Sequence, residues 1–349
     1  MNLTILASIL LMAGQVTAAG PAAADGCPAT TDQWEVTDLG VTGNALDIND
    51  LGQIAGSSVS ATGEQRATVW DGAQVVDLGS LGGGHAYAGA LDEDGNVVGS
   101  SYTATEKGHV FHWRAGTMTD LGPFSGYAQV HDVSAGVVVG EYRYLLPNGT
   151  ARYQAFRIRD GIRTDLTAVS GSYAAAVNPA GQIAGTQRRL EPPGPASQRT
   201  HRAFLWEDGV ITELGTLGGQ WSQAEGINGD GHIVGQSALG ADGVLAGGYI
   251  WSAEEGMRRL PDAGGLAAPK AVNDDDVIAG THTCTGAGTA AHAAVWTGPG
   301  AAPALLPDPV TGTATMANAV NAQGEITGWA EAPDGSRRAL VWRPAPGNS

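Results

Sequence analysis

Few residues in this 349-residue chain combine the type and the spacing needed for chemistry. His282 and Cys284 stand two apart, so on a strand they share a face, and His292 could return across a hairpin. Two imidazoles and a thiolate would suit zinc with one open position. The only other cysteine, Cys27, offers a competing use, because an exported chain can join it to Cys284 as a disulfide. Disulfide, two separate thiols and metal ligation are all open, and no metal is the working expectation. A second set is basic and aromatic: Arg143, Tyr144, Arg152, Arg188, Arg189, Arg199, His201 and Trp221. The planar fork of Arg suits a carboxylate or phosphate, and the aromatics suit a glycan. Only two of the 18 basic residues are Lys, which weakens any argument from Arg alone. A third set, Asp47, His131, Asp132, Glu225 and Lys270, is polar but follows no spacing rule.

The chain has no Gly-x-Ser-x-Gly, no His-Glu-x-x-His and no phosphate-binding loop. No catalytic residue and no cofactor are therefore expected, and binding is favoured over catalysis. Three or more titratable groups converging at one place would reverse that order.

An internal repeat supplies the elements that must carry these residues. An apolar-Asn strand leads into a turn, then a β-branched strand ending in Gly, then, after a variable loop, a strand ending in Trp, and finally a fourth strand containing Leu39, Leu78, Leu121, Leu166, Leu214, Leu260 or Leu306. The Gly column is Gly56, Gly99, Gly140, Gly185, Gly235, Gly280 and Gly328, and it is expected to make room for the Trp column. That second column is Trp70, Trp113, Ile158, Trp206, Trp251, Trp296 and Trp342, with Ile158 its one exception. The period of about 45 residues is the length of a propeller blade. The chain opens on a fourth strand, Trp34 to Gly40, and ends on a third strand, Ala339 to Arg343. The expected fold is all-β: a seven-bladed β-propeller of four-stranded blades, closed by the N-terminal strand completing the last blade. In that fold the second-to-third and fourth-to-first connections share one face. Glu141 to Gln154 and Gln187 to Arg202 are the longest of the former, and they hold most of the basic and aromatic set.

Composition agrees. A chain with 42% hydrophobic residues and nine Trp is not disordered, and 53 Gly argue against a helical protein. The net charge of −17 excludes nucleic acid and anionic membranes as natural partners. Residues Leu3 to Ala13 form an apolar run followed by Val16-Thr17-Ala18, the pattern of a secretory signal peptide. The expected organisation is a signal peptide over 1–19, a flexible leader over 20–33, the propeller over 34–343 and a tail over 344–349. Location is expected to be secreted or periplasmic, without a membrane span and as a monomer.

The phrases Glu213-Leu214-Gly215-Thr216-Leu217-Gly218-Gly219, Gly226-Ile227-Asn228 and His201-Arg202-Ala203-Phe204-Leu205-Trp206 resemble the HAF-repeat family of bacterial extracellular proteins. Arg202 interrupts the name-giving His-Ala-Phe. The resemblance covers about residues 34–343 and implies export and a propeller-like repeat, but no activity. A binding or scaffold role follows, with an extracellular protein, a glycan or a small ligand as partner. The alternative is a propeller hydrolase or lyase acting on a glycan or ester at the channel mouth.

Overall fold

The computed structural model describes residues 27–105, 108–122, 124, 127–188, 200–240, 245–285, 290–309 and 314–346. Among them every regular element is a strand. Among the described residues no helix is long and apolar enough to cross a membrane. The first unit holds β1 (Trp34–Ile48), β2 (Ile54–Val59), β3 (Gln65–Asp71) and β4 (Gln74–Asp77). The second holds β5 (Gly82–Leu91), β6 (Val97–Thr103), β7 (Gly108–Arg114) and β8 (Thr117–Asp120). The third holds β9 (Ala128–Ser134), β10 (Val137–Leu145), β11 (Ala151–Arg159) and β12 (Ile162–Asp165). The fourth holds β13 (Ser172–Val177), β14 (Ile183–Arg188), β15 (His201–Glu207) and β16 (Val210–Glu213). The fifth holds β17 (Ser222–Ile227), β18 (Ile233–Ala238), β19 (Ala246–Ser252) and β20 (Gly256–Arg259). The sixth holds β21 (Leu266–Val272), β22 (Ile278–Thr283), β23 (Ala291–Trp296) and β24 (Ala304–Leu305). The last unit holds β25 (Thr315–Val320), β26 (Ile326–Glu331) and β27 (Arg337–Pro344).

Five units are separate antiparallel four-stranded sheets. The first and last units form one seven-stranded sheet, because β1 serves both. Its first half, Trp34 to Asp38, pairs with β27, and its second half, Gly43 to Ile48, pairs with β2. The sequence suggested two separate strands here. Asp38-Leu39-Gly40 does turn locally, with the Asp38 carboxylate accepting the Gly40 N–H at 2.8 Å, but the strand resumes at once. The later Leu positions also differ from expectation. Leu78, Leu166, Leu214, Leu260 and Leu306 sit just past the outer strands, buried, and do not lie within them. Each donates its N–H to a third-strand carbonyl, such as Leu78 to Ala67 at 2.9 Å.

Every inner strand carries the same irregularity. Opposite the second strand one extra residue is inserted: Leu46, Gly89, His131, Ala175, Glu225, Lys270 or Asn318. Such a β-bulge bends the strand and re-aims a side chain. It also explains the Gly column more directly than the Trp rings do. A Cβ on Gly56, Gly99, Gly140, Gly235 or Gly328 would overlap the carbonyl oxygen of Asn44, Tyr87, Gln129, Gln223 or Met316. The rings of Phe111, Phe204 and Trp342 add a second obstacle at Gly99, Gly185 and Gly328.

Hydrophobic clusters join each unit to the next. Trp206 packs on Val137 and Val139, Trp251 on Ala184 and Leu205, Trp296 on Val234 and Ile250, and Trp342 on Ala279 and Val295. The first unit meets the last through Trp70, Ala319 and Val341. The units therefore form a closed ring.

The stretch before β1, expected as a free leader, is held down from Cys27 onward. Cys27 and Cys284 form a disulfide, and Thr30 makes a parallel bridge to Leu305. The chain does run back along the outer edge of the sixth unit to reach the closing strand. Cys284 is thus not a thiolate, and His282 directs Nε2 to the Asp262 carbonyl at 2.6 Å. Among the described residues no His, Cys, Asp or Glu group is arranged to hold a metal. Gly235→Ala should lower stability by about 3 kcal/mol in urea denaturation, since backbone on the neighbouring strand must move. The disulfide closes a separation of 257 residues, so Cys27→Ser should cost roughly 2–5 kcal/mol. Reductant should lower the melting temperature of the native chain and leave that of Cys27→Ser unchanged.

Candidate functional site at the axial channel

The inner strands β5, β9, β13, β17, β21, β25 and the second half of β1 surround the ring axis. Alternate residues such as Ala86, Ala88, Ser172 and Ala174 are buried between units. Their neighbours Asn44, Tyr87, Gln129, Tyr173 and Gln223 are half-buried, as are most of the bulge residues. These half-buried positions line the channel. Lys270 Nζ lies 2.5 Å from Glu225 Oε2, bridging the sixth and fifth units. Asn318 Nδ2 donates to the Ala45 carbonyl at 2.7 Å. His131 leans toward Tyr173, with ring centroids 6.2 Å apart.

Deeper in the channel, Asp47 and Asp132 have a structural task. Asp47 accepts N–H bonds from Ile48 and from Leu91 of the next unit, both at 2.9 Å. Asp132 does the same with Val133 at 2.7 Å and Val177 at 2.8 Å. These bonds favour the charged form, but burial outweighs them, and the pKa values rise to about 7 for Asp47 and about 6 for Asp132. Asp47 is raised further by Asp132, although a whole unit separates them. The His131 imidazole is pushed down to about 4, by burial and then by Lys270 from the far side of the ring. Charges from distant units thus meet near the axis.

Above this layer the mouth is rich in tyrosine. Tyr127 is pushed up to about 12 by burial first, then by Glu141, Tyr102, Tyr153 and Tyr87. Burial also raises Tyr87, Tyr173 and Tyr249. Glu141 on β10 is pushed up to about 7 by burial alone. Among the described residues its carboxylate has no hydrogen bond. Three further polar atoms here are buried without a partner: His131 Nε2, Tyr173 Oη and Asn44 Oδ1. Thr186 stands beside the Tyr173 hydroxyl but lacks hydrogen-bond geometry to it.

The described members of the basic and aromatic set lie on the rim of this mouth, but they are divided. In β10 and β11, Arg143 pairs with Tyr153 and Tyr144 with Arg152. Strand alternation puts the two pairs on opposite faces of the hairpin. Glu141, Arg143 and Tyr153 share the face that Val139 packs against the fourth unit. Tyr144 lies on the other face beside Tyr142, at 6.0 Å between centroids, and Arg152 is opposite it. Arg188 pairs with His201 in the fourth unit, and Trp221 begins the fifth, its carbonyl accepting the Ala238 N–H at 2.9 Å. Arg189 and Arg199 lie outside the described residues. The sequence reading missed Glu141, whose only signal was a carboxylate directly following the Gly140 column position.

The opposite end of the ring carries the first-to-second turns. A shallow depression of about 430 Å³ there, lined by Gln53, Asp94 and Trp113, is remote from the tyrosines and from Glu141.

No family model matches this sequence, and no curated protein matches it. Solved structures do. The β-propeller domain of the Trilobed protease from Pyrococcus furiosus is similar at a TM-score of 0.61 and 10% identity, over 86% of this chain and 95% of that one. The fold is a β-propeller. The acylaminoacyl peptidase of Pyrococcus horikoshii is similar at 0.58 and 11% identity, over 89% of this chain. A Mycobacterium tuberculosis puromycin-hydrolyzing peptidase is similar at 0.53 and 14%, also over 89%. The chain spans about half the length of these two peptidases, covering 54% and 52% of them.

Glu141 ties propeller stability to pH with a definite sign. Its folded pKa lies above the unfolded value, so its contribution is complete below about pH 4 and is lost as pH rises through about 7. His131, shifted down, works the other way, so the native chain alone mixes both effects. Glu141→Gln isolates the carboxylate, because Gln cannot ionise. Between about pH 5.5 and about pH 8 the melting temperature of the variant should rise relative to the native chain. An unchanged difference would contradict the assignment.

Proposed function

We propose that this chain is an exported, seven-bladed β-propeller acting as a non-catalytic binding or scaffold module. Its ligand meets the end of the ring that carries the second-to-third connections. The observation that carries the reading is the β10–β11 hairpin. Its arms have nine residues each, against six and seven in the fully described first unit, so the hairpin overhangs the mouth. It presents exposed Leu145 and Tyr153 with Arg143 beside the latter. Seven hydrophobic clusters, each joining neighbouring units, support the blade number, with half of β1 completing the last blade. The apolar run Leu3 to Ala13, the disulfide and the resemblance to HAF-repeat proteins support export to the periplasm or beyond. The partner is an extracellular protein, a glycan or a small ligand.

A second reading is a hydrolase or lyase acting on a glycan or ester. It is favoured by the convergence of Glu141, His131, Glu225 and Lys270, more groups than the sequence argument asked for. The pairing of these groups speaks against it. Glu225 is tied to Lys270, and among the described residues no hydroxyl or thiol nucleophile is hydrogen-bonded to a channel base. The test is capture on immobilised acidic and neutral polysaccharides. Arg143→Ala combined with Arg188→Ala should weaken capture at least about tenfold at unchanged melting temperature. Equal capture by the double variant would sink the docking reading; turnover of a glycan or ester panel would favour the second.

A further inference from the structure

We infer that the channel mouth is a binding pocket for one uncharged, polyhydroxylated unit the size of a monosaccharide. Tyr173, His131, Asn44 and Glu141 supply its hydrogen bonds. The inference rests on the docking reading only in placing entry at this end of the ring.

Buried polar groups are paired in folded proteins, and an unpaired one costs about 1–3 kcal/mol. Three of the buried unpaired atoms of this structure, Tyr173 Oη, His131 Nε2 and Asn44 Oδ1, come from different units and face the same channel. Glu141 adds a carboxyl group without a protein partner. Together they offer a phenolic donor, an amide acceptor, and an imidazole and a carboxyl that serve in either sense. A sugar hydroxyl both donates and accepts, so a ring of hydroxyls can satisfy such a mixed set. An ion cannot.

The charges point the same way. Lys270 is neutralised by Glu225 at 2.5 Å. Burial and Lys270 hold His131 neutral, and Glu141 loses its proton only near neutrality. An anionic ligand would meet Glu141 and Glu225, and a cationic one would meet Lys270. The bulge residues beside His131 are Gly89 and Ala175, so the neighbouring bulges bring no polar side chain to pair with the imidazole. Tyr87, Tyr127 and Tyr153 provide aromatic surface above it, of the kind that suits the C–H face of a sugar ring.

The experiment is titration of the full mature chain, by calorimetry or protein-observed NMR. The probes are glucose, galactose, mannose, N-acetylglucosamine and myo-inositol, with glucuronate and glucosamine as charged counterparts. At least one neutral probe should bind and outcompete its charged counterpart about tenfold. Tyr173→Phe should weaken that binding about tenfold, and it should not lower the melting temperature, because the lost hydroxyl has no protein partner. Binding of no neutral probe at about 50 mM, equal binding by Tyr173→Phe, or tighter binding of a charged counterpart would each overturn the inference. If polysaccharide capture is lost in the Arg143/Arg188 double variant while no neutral probe binds, the docking reading stands and this pocket falls. If neither polymers nor small probes bind, both fall.

Discussion

The close approach of an inner-strand carbonyl to a second-strand glycine governs this ring. The bulge on each inner strand drives that carbonyl into the space a Cβ would fill, so glycine is required opposite it. In return, one extra residue per unit is turned toward the axis. The chemistry of the channel is thus a consequence of a packing constraint. A side chain in place of the glycine would meet that carbonyl, so the bulges that turn His131, Glu225 and Lys270 toward the axis depend on it.

A second device closes what the bulge shapes. Asn49, Asn178, Asn228, Asn273 and Asn321 directly follow their inner strands, all buried. Each side-chain oxygen accepts the N–H four residues on, as Asn228 does from His232 at 2.8 Å. Each amide then donates to the same position of the next unit: Asn178 to Asn228, Asn228 to Asn273, Asn273 to Asn321, and Asn321 to Asn49. The last bond joins the ends of the ring. Asp92, a carboxylate without N–H, and Ser134 interrupt the chain of bonds in the second and third units. Acidic turn residues reinforce it. Asp50 accepts the Ala322 N–H, Glu93 that of Asp50, and Asp274 that of Gly229. Part of the net charge of −17 therefore has a structural use between units.

The repeat was legible because the same constraint recurs about every 45 residues and leaves the same residue types behind. Gly, Asn, Trp and the closing strand could all be placed from their columns. The fused β1 was not legible. Asp38-Leu39-Gly40 matches the endings at Asp77 and Asp120, and only pairing with β2 shows that the strand continues. The split of Arg143 from Tyr144 and Arg152 needed the hairpin register, since adjacent residues on a strand face opposite ways. Glu141 was missed because a lone carboxylate carries no spacing signal, and only burial makes it unusual. Cys27 and Cys284 were a possible pair in sequence on the condition that the extension runs back along the blade edge, and the bridge of Thr30 to Leu305 on β24 meets that condition.

Comparison of the units with one another shows where function can reside. The buried inner-strand position opposite the Gly column stays apolar throughout: Ala45, Ala88, Ala174, Ala224 and Ala317 in five units, with Val130 and Pro269 in the other two. The bulge position holds Leu46, Gly89, His131, Ala175, Glu225, Lys270 and Asn318, nearly one of every chemical class. Packing would not tolerate such a range between units, and the open channel does. The fold thus fixes the backbone at seven bulges and leaves their side chains free to be chosen for a ligand. His131 stands between Gly89 and Ala175, while Glu225 and Lys270 neutralise one another. That arrangement leaves His131 Nε2 and Tyr173 Oη of the third and fourth units buried without a protein partner, and pairs the one lysine of the channel with a carboxylate.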